Sequence, residues 1–145
     1  MLKKSDLPYW KCNEFYNVFA FQPDVVVIAL GTNDSKNFNW NATAYESDFQ
    51  CMLDTLKTLP SQPTVYVCLP PPAFRMAWSI DDSVITAGVI PIIEKLKEKN
   101  NFKVIDLNSR MRGQPEVFPD GIHPNEQGAK VLAGIVAEGL KKYSE

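Results

Sequence analysis

Asp24-Val25-Val26-Val27-Ile28-Ala29-Leu30 runs directly into Gly31-Thr32-Asn33-Asp34, and this stretch decides the fold class. The run is short, rich in β-branched residues and uncharged after Asp24. It therefore reads as a strand buried on both faces, as in a parallel sheet, that stops at Gly31. Further along, Thr64-Val-Tyr-Val-Cys-Leu69 repeats the pattern and stops at Pro70-Pro71-Pro72, and Phe102 to Leu107 gives a third, weaker instance. Helical spacing fills the intervals. Tyr45, Phe49, Met52, Leu53 and Leu56 share one face, behind a capping box at Thr43-Ala-Tyr-Glu46. A second helix is predicted from Asp82 to Lys99 through Val84, Ile85, Val89, Ile92, Ile93 and Leu96, with Pro91 implying a kink or a fresh start. A third is predicted from Asn125, its cap, to Tyr143, with Leu132, Ile135, Val136 and Leu140 on one stripe. Strands alternating with helices predict an α/β domain around a parallel sheet.

The chain has 145 residues, which predicts one domain, 1–145, with one core. Fifteen Lys and Arg against seventeen Asp and Glu leave a net charge of −2, so the bulk electrostatics favour no polyanion and no nucleic-acid partner is expected. The apolar run Val25 to Leu30 is far below the ~20 residues that cross a bilayer, so no membrane span is expected either. Residues 1–20 carry early lysines, but Asp6, Pro8, Lys11, Asn13 and Glu14 interrupt any apolar core, and no signal peptide is read in this chain. Cys12, Cys51 and Cys68 are widely spaced and His123 is the single histidine, so free thiols are expected, with no metal site and no cofactor.

The polar residues with chemical potential sit where elements end. Gly31-Thr32-Asn33-Asp34 follows a strand, and in open parallel sheets ligands bind beyond the carboxyl ends of the strands. The same residues could instead serve only as a turn that caps the next element. In Asp120-Gly-Ile-His123-Pro124-Asn125 a carboxylate precedes an imidazole by three residues. On a turn, the carboxylate can accept the Nδ1 proton and leave Nε2 facing a cleft as a general base. The alternative is a loop in which Asp120 and Asn125 cap the last helix and His123 is merely exposed. The first reading gains from His123 being the only histidine and from its place ahead of the C-terminal helix.

Together these motifs resemble the third and fifth sequence blocks of the SGNH, or GDSL-type, hydrolases. The stretch from Pro23 to Trp40 is especially similar to bacterial carbohydrate acetylesterases of that family, sialate O-acetylesterase-like members included. The resemblance covers essentially the whole chain. It implies a three-layer α/β/α, flavodoxin-like parallel sheet and a Ser-His-Asp ester hydrolysis. In the family a serine in a Gly-Asp-Ser block attacks the acyl carbon, and a glycine N–H, an asparagine side chain and the serine N–H stabilise the oxyanion. Carried over, Asn33 is the oxyanion-hole amide, His123 the general base and Asp120 the residue that orients it, with Gly31 and Asp34 lining the site. The implied substrate is a small acyl ester, acetylated sugars included.

The chain departs from the family at its start. It holds no Gly-Asp-Ser block, no strand before one, and no second-block glycine. Ser5-Asp6 has neither a strand nor a glycine ahead of it, and Ser35 would compete with Asn33 for space. The nucleophile is thus expected outside this chain, which reads as the C-terminal portion of an SGNH domain lacking its first two strands. With sheet order 2-1-3-4-5, strand 25–30 then becomes an uncovered edge, and association is expected through it, with a second copy or with a separate N-terminal segment. Alternatively, Tyr9, Trp10, Phe15, Tyr16, Phe19 and Phe21 fold over that edge or pack in the core. Pro70 to Pro72 with Phe74 and Trp78 form either an apolar wall for an acyl group or sugar, or a plain surface loop. A rival reading keeps the fold but makes it a non-catalytic remnant or ligand-binding module. A nucleotide-binding domain is disfavoured, since no Gly-rich phosphate loop occurs.

Overall fold

Three parallel strands, β1 (Val25–Ile28), β2 (Thr64–Leu69) and β3 (Lys103–Asp106), pair in the order β1-β2-β3 in a computed structural model that describes residues 1–142. Val25 lies opposite Thr64 and Ile28 opposite Val67, while Val67 and Cys68 face Val104 and Ile105. Between and around the strands run α1 (Asn13–Phe21), α2 (Ala42–Lys57), α3 (Asp82–Val84), α4 (Ile90–Lys99), α5 (Leu107–Met111) and α6 (Glu126–Lys142).

The period of two along β2 divides the core. Val67 joins Ile28, Phe49, Leu53, Ile93 and Leu96 on the face covered by α2 and α4. Tyr66 and Cys68 turn to the other face, against Ile105, Leu107, Met111 and Ile135 of β3, α5 and α6. Side chains alternating across a strand that is buried on both sides are what a continuous apolar run encodes. The result is the predicted three-layer α/β/α architecture.

Three expectations need correction, and one helix is additional. β1 is not buried on both faces: Ile28 is 6% exposed, but Val25 is 49% and Val27 40% exposed. The helices of that second face pack over β2 and β3, leaving the outer strand uncovered there. The cap of α2 is Asn41, whose Oδ1 accepts from the Ala44 N–H at 2.9 Å, and not Thr43. Asn41 is extended (φ −148°, ψ 109°), the backbone state of an N-cap. The 82–99 helix is interrupted by a π-helical turn, Ile85–Val89, before Pro91. Pro91 has no N–H for the carbonyl of Ala87 and would crowd it, and the widened turn accommodates both facts. Gly88 in that turn lets Trp40 approach, since a Cβ there would lie 2.5 Å from the indole Cζ2. Finally, residues read only as an aromatic cluster form the helix α1. Its Phe15, buried, is met by Tyr9, Trp10, Tyr16 and Phe19 at ring distances of 5.0–5.8 Å.

The N-terminal aromatics divide between the two expectations made for them. Phe15, Tyr9 and Trp10 pack on the Ile28 face of the core, whereas Tyr16 (60%) and Phe21 (79%) stay exposed. Among the described residues no strand pairs with the outer side of β1. Asn125 caps α6 as expected, accepting from the Gly128 N–H at 2.9 Å, and Tyr143 lies outside the described residues. Cys12, Cys51 and Cys68 are free thiols. No helix among the described residues is long and apolar enough to cross a membrane.

Candidate active site

Three loops gather beyond the carboxyl ends of the strands, and each has a local reason for its shape. The first begins at Gly31, where φ is +139° and a Cβ would stand 2.8 Å from Pro70 Cγ and 2.9 Å from Val89 Cγ1. Only glycine fits both constraints. Asn33–Ser35 then form a single 3₁₀ turn. Asn33 is exposed, and its side-chain amide has no hydrogen-bond partner among the described residues.

Asp34, expected to line the site beside Asn33, does not project there. It is 3% exposed, with Oδ2 accepting from the Met1 amino nitrogen at 2.9 Å and Oδ1 from the Leu2 N–H at 2.6 Å. Ser35 is fully buried, its hydroxyl donating to the Thr32 carbonyl at 2.8 Å and accepting from the Asp81 N–H. The Ser5 hydroxyl donates to the Leu2 carbonyl. A second stitch joins the same segments. Lys36 Nζ and Asn39 Nδ2 each donate to Asp6 at 2.7 Å and hold its carboxyl below the usual range.

The second loop follows β2. Its Pro70 carbonyl accepts from buried Asn108, and the Ala73 N–H donates to Asp82, which Arg112 grips with its two terminal guanidinium nitrogens. This loop is also tied to its neighbours. The Ser79 carbonyl accepts from the Asn37 N–H of the first loop at 3.2 Å. Toward the third loop, the Phe74 N–H donates to the Gly121 carbonyl at 2.8 Å, and the Arg75 guanidinium donates to the carbonyls of Asp120 and Pro119.

The third loop carries the carboxylate–imidazole pair. Asp120 Oδ1 accepts from the N–H groups of His123 (2.7 Å) and Ile122 (2.8 Å), while Oδ2 lies 2.8 Å from His123 Nδ1. The backbone N–H of His123 comes first, then that of Ile122 and the ring itself, in drawing the Asp120 carboxyl down to about 2. An ionised carboxylate at Nδ1 favours the tautomer with its proton there and leaves the Nε2 lone pair free. The imidazole is 68% exposed, and the indole of Trp78 meets it edge-on at 5.2 Å.

Sequence reasoning misses Arg75 entirely, and places Trp78 on a wall or a plain loop. Neither has a spacing signal, because their positions depend on the turn after the three prolines. A groove of about 1010 Å³ between α2 and α4, lined by Glu46, Gln50, Lys95 and Lys99 among others, shares no residue with these loops. No group of three or more His, Cys, Asp or Glu side chains among the described residues could hold a metal ion.

Comparison with known proteins bears on the family and the fold. Residues 6–131 match the GDSL-like lipase/acylhydrolase family. An acetylxylan esterase of Xylanibacter ruminicola is 38% identical over 160 residues, which covers 97% of this chain and 33% of that protein. The chain thus spans a third of the length of that curated relative. A carbohydrate esterase family 3 structure from Talaromyces cellulolyticus superposes with a TM-score of 0.71 at 25% identity, covering 86% of this chain and 60% of that one. A GDSL-like lipase from Bacteroides thetaiotaomicron shares the fold, with a TM-score of 0.69 at 19% identity over 90% of this chain and 70% of that one. By its match over residues 6–131, the chain belongs to the GDSL-like lipase/acylhydrolase family.

Proposed function

We propose that residues 1–145 supply the base half of a serine esterase that acts on small acyl esters, acetylated carbohydrates among them. The observation that carries the reading is the Asp120–His123 pair, with one carboxylate oxygen held by two backbone N–H groups and the other aimed at Nδ1. In this reading His123 Nε2 takes the proton of a serine hydroxyl as the oxygen attacks the acyl carbon. Asp120 stabilises the imidazolium so formed, and His123 returns the proton to the departing alcohol. Asn33, whose amide is uncommitted, donates to the oxyanion of the tetrahedral intermediate. Gly31 holds the turn that presents it.

The sequence has no Gly-Asp-Ser, and Ser5 and Ser35 are engaged in backbone hydrogen bonds. In this reading the nucleophilic serine comes from a segment outside these residues. The substrate class is supported by the acetylxylan esterase and carbohydrate esterase likenesses.

The test is p-nitrophenyl acetate turnover by the chain alone and by the chain joined to a family segment bearing Gly-Asp-Ser, each with His123→Ala as the control. Turnover is expected only with the added segment and is expected to vanish in His123→Ala. Turnover by the chain alone above that control would place the serine inside it. No turnover in the joined protein would favour a non-catalytic module of the same fold.

A further inference from the structure

We propose that Trp78 is a sugar-binding platform beside His123, placed to carry a pyranose ring of the alcohol half of the ester. The backbone is the first observation. Trp78 (φ +50°) and Ser79 (φ +62°) are consecutive non-glycine residues in the left-handed region, an unfavourable conformation for L residues with side chains. Strain of this kind persists where the surroundings over-determine it, and such places gather at ligand sites. Here the surroundings are explicit. Ala77 and Ile80 form an isolated bridge, Ile80 is 2% exposed, and the Asn37 N–H holds the Ser79 carbonyl. Phe74 and Arg75 fasten the start of the loop to Gly121, Asp120 and Pro119.

What this constrained loop achieves is the second observation. An indole that is 57% exposed is set against the imidazole, with 5.2 Å between ring centroids and 64° between their planes. The contact is edge-to-face, so the imidazole covers at most one of the two indole faces, and Trp78 keeps more than half of its surface exposed beside the proposed base. Burying Ile80 would not by itself require a tryptophan at 78.

The chemistry of such a surface selects its ligand. An acyl tail is held best in an enclosed apolar pocket. A flat, open aromatic face suits the ring C–H groups of a pyranose, whose hydroxyls remain free to bond to water and to polar neighbours. Exposed Asn33 and Asn37 lie on the adjoining loop. The inference rests on the proposed esterase reading, because it takes the His123 side of the loop to be where the ester lies.

The test uses the full chain and reads binding, so it is separate from turnover. Methyl β-D-xylopyranoside and xylobiose are titrated while the indole N–H signal of Trp78 and the ring signals of His123 are followed by NMR, with ethyl acetate as an acyl-only probe. The sugars are expected to shift both residues. Trp78→Ala is expected to weaken the His123 response at least tenfold, and Trp78→Phe to restore most of it. Sugar-induced shifts that leave Trp78 unmoved, or that persist unchanged in Trp78→Ala, would overturn the proposal. So would a response of Trp78 to ethyl acetate alone. Sugar binding at Trp78 together with no ester turnover by the chain joined to a serine-bearing segment would sink the esterase reading and leave the platform standing.

Discussion

Asp34 lies 2.9 Å from the Met1 amino nitrogen through Oδ2, while its neighbour Asn33 stands exposed one residue away. Two adjacent polar residues thus divide their work. One turns inward and fastens residues 1–2 to the Gly31 loop, and the other is left facing solvent with a free amide. The 3₁₀ turn over Asn33–Ser35 enforces the division, because successive side chains in it point in different directions.

Removing the inward member is expected to unfasten the N-terminal segment. Asp34→Ala leaves the buried Met1 nitrogen and the Leu2 N–H without an acceptor. Breaking a buried charge pair by deleting one partner costs ~3–5 kcal/mol. Urea unfolding should register a loss in that range, and a change under about 1 kcal/mol would show that the contact is not made in solution.

Gly31→Ala is expected to destabilise by a different route. A methyl at this position meets Pro70 and Val89 at under 3 Å, and the backbone sits at φ +139°. Overpacking alone costs roughly 1–3 kcal/mol, and the backbone strain adds to it. The urea midpoint should fall with the m-value unchanged, and a neutral result would require the Pro70 loop to move aside.

The Asp120 carboxyl sets a pH window. Its folded value, about 2, lies below the ordinary aspartate value of ~3.9. A lowered folded pKa gives a contribution to stability that is present above the unfolded value and lost as pH falls through the folded one. The loop contribution should therefore decline between about pH 4 and 2. A carboxyl-carbon NMR titration of Asp120 is expected to show a midpoint near 2. In His123→Ala it should remain depressed, though less so, because the two backbone N–H groups precede the ring among the causes. A midpoint at the ordinary value in the unaltered chain would mean that the turn does not hold its hydrogen bonds.

The sheet and its flanking helices are legible in the sequence because their signals are local. β-branched runs mark β1 and β2, and apolar spacing marks α2, α4 and α6. The Asp120–His123 contact is legible for the same reason, as three residues on a turn leave little freedom. The features that escape depend on distant partners. The exposure of Val25 and Val27 arises from where α5 and α6 happen to end on the sheet, and no residue of β1 encodes that. Asp34 reads as a site residue until the N-terminal segment folds back on it. α1 carries Phe15, Val18 and Phe19 at helical spacing, but two asparagines and several aromatics, weak helix formers, obscure it. Trp78 reaches His123 only through a loop with two left-handed residues, a conformation that propensity argues against.

The open side of β1 is proposed to pair with a second copy. The Thr64 N–H donates to the Asp24 carbonyl at 2.9 Å, so the parallel ladder continues through Val26 and Ile28 and turns the N–H and C=O groups of Val25 and Val27 outward. β1 itself carries no charge to discourage pairing. Sedimentation at tens of micromolar should show concentration-dependent dimers, and Val27→Lys should suppress them. A monomer across that range in the unaltered chain would rule this contact out.

Asn33 offers the sharpest test of the proposed chemistry. Its amide contributes no hydrogen bond to the fold among the described residues, so truncating it should leave stability nearly unchanged. In the protein joined to a serine-bearing segment, Asn33→Ala is expected to lower kcat by ~10²–10³, the usual effect of deleting one oxyanion donor. Because the interaction strengthens only as charge develops on the oxygen, kcat and kcat/KM should fall together while KM holds. Asn33→Asp, which keeps the shape but replaces the N–H donors with a negative charge, should fall at least as far. A loss under tenfold in Asn33→Ala would remove this residue from the oxyanion hole, and a rise in KM at constant kcat would reassign it to ground-state binding.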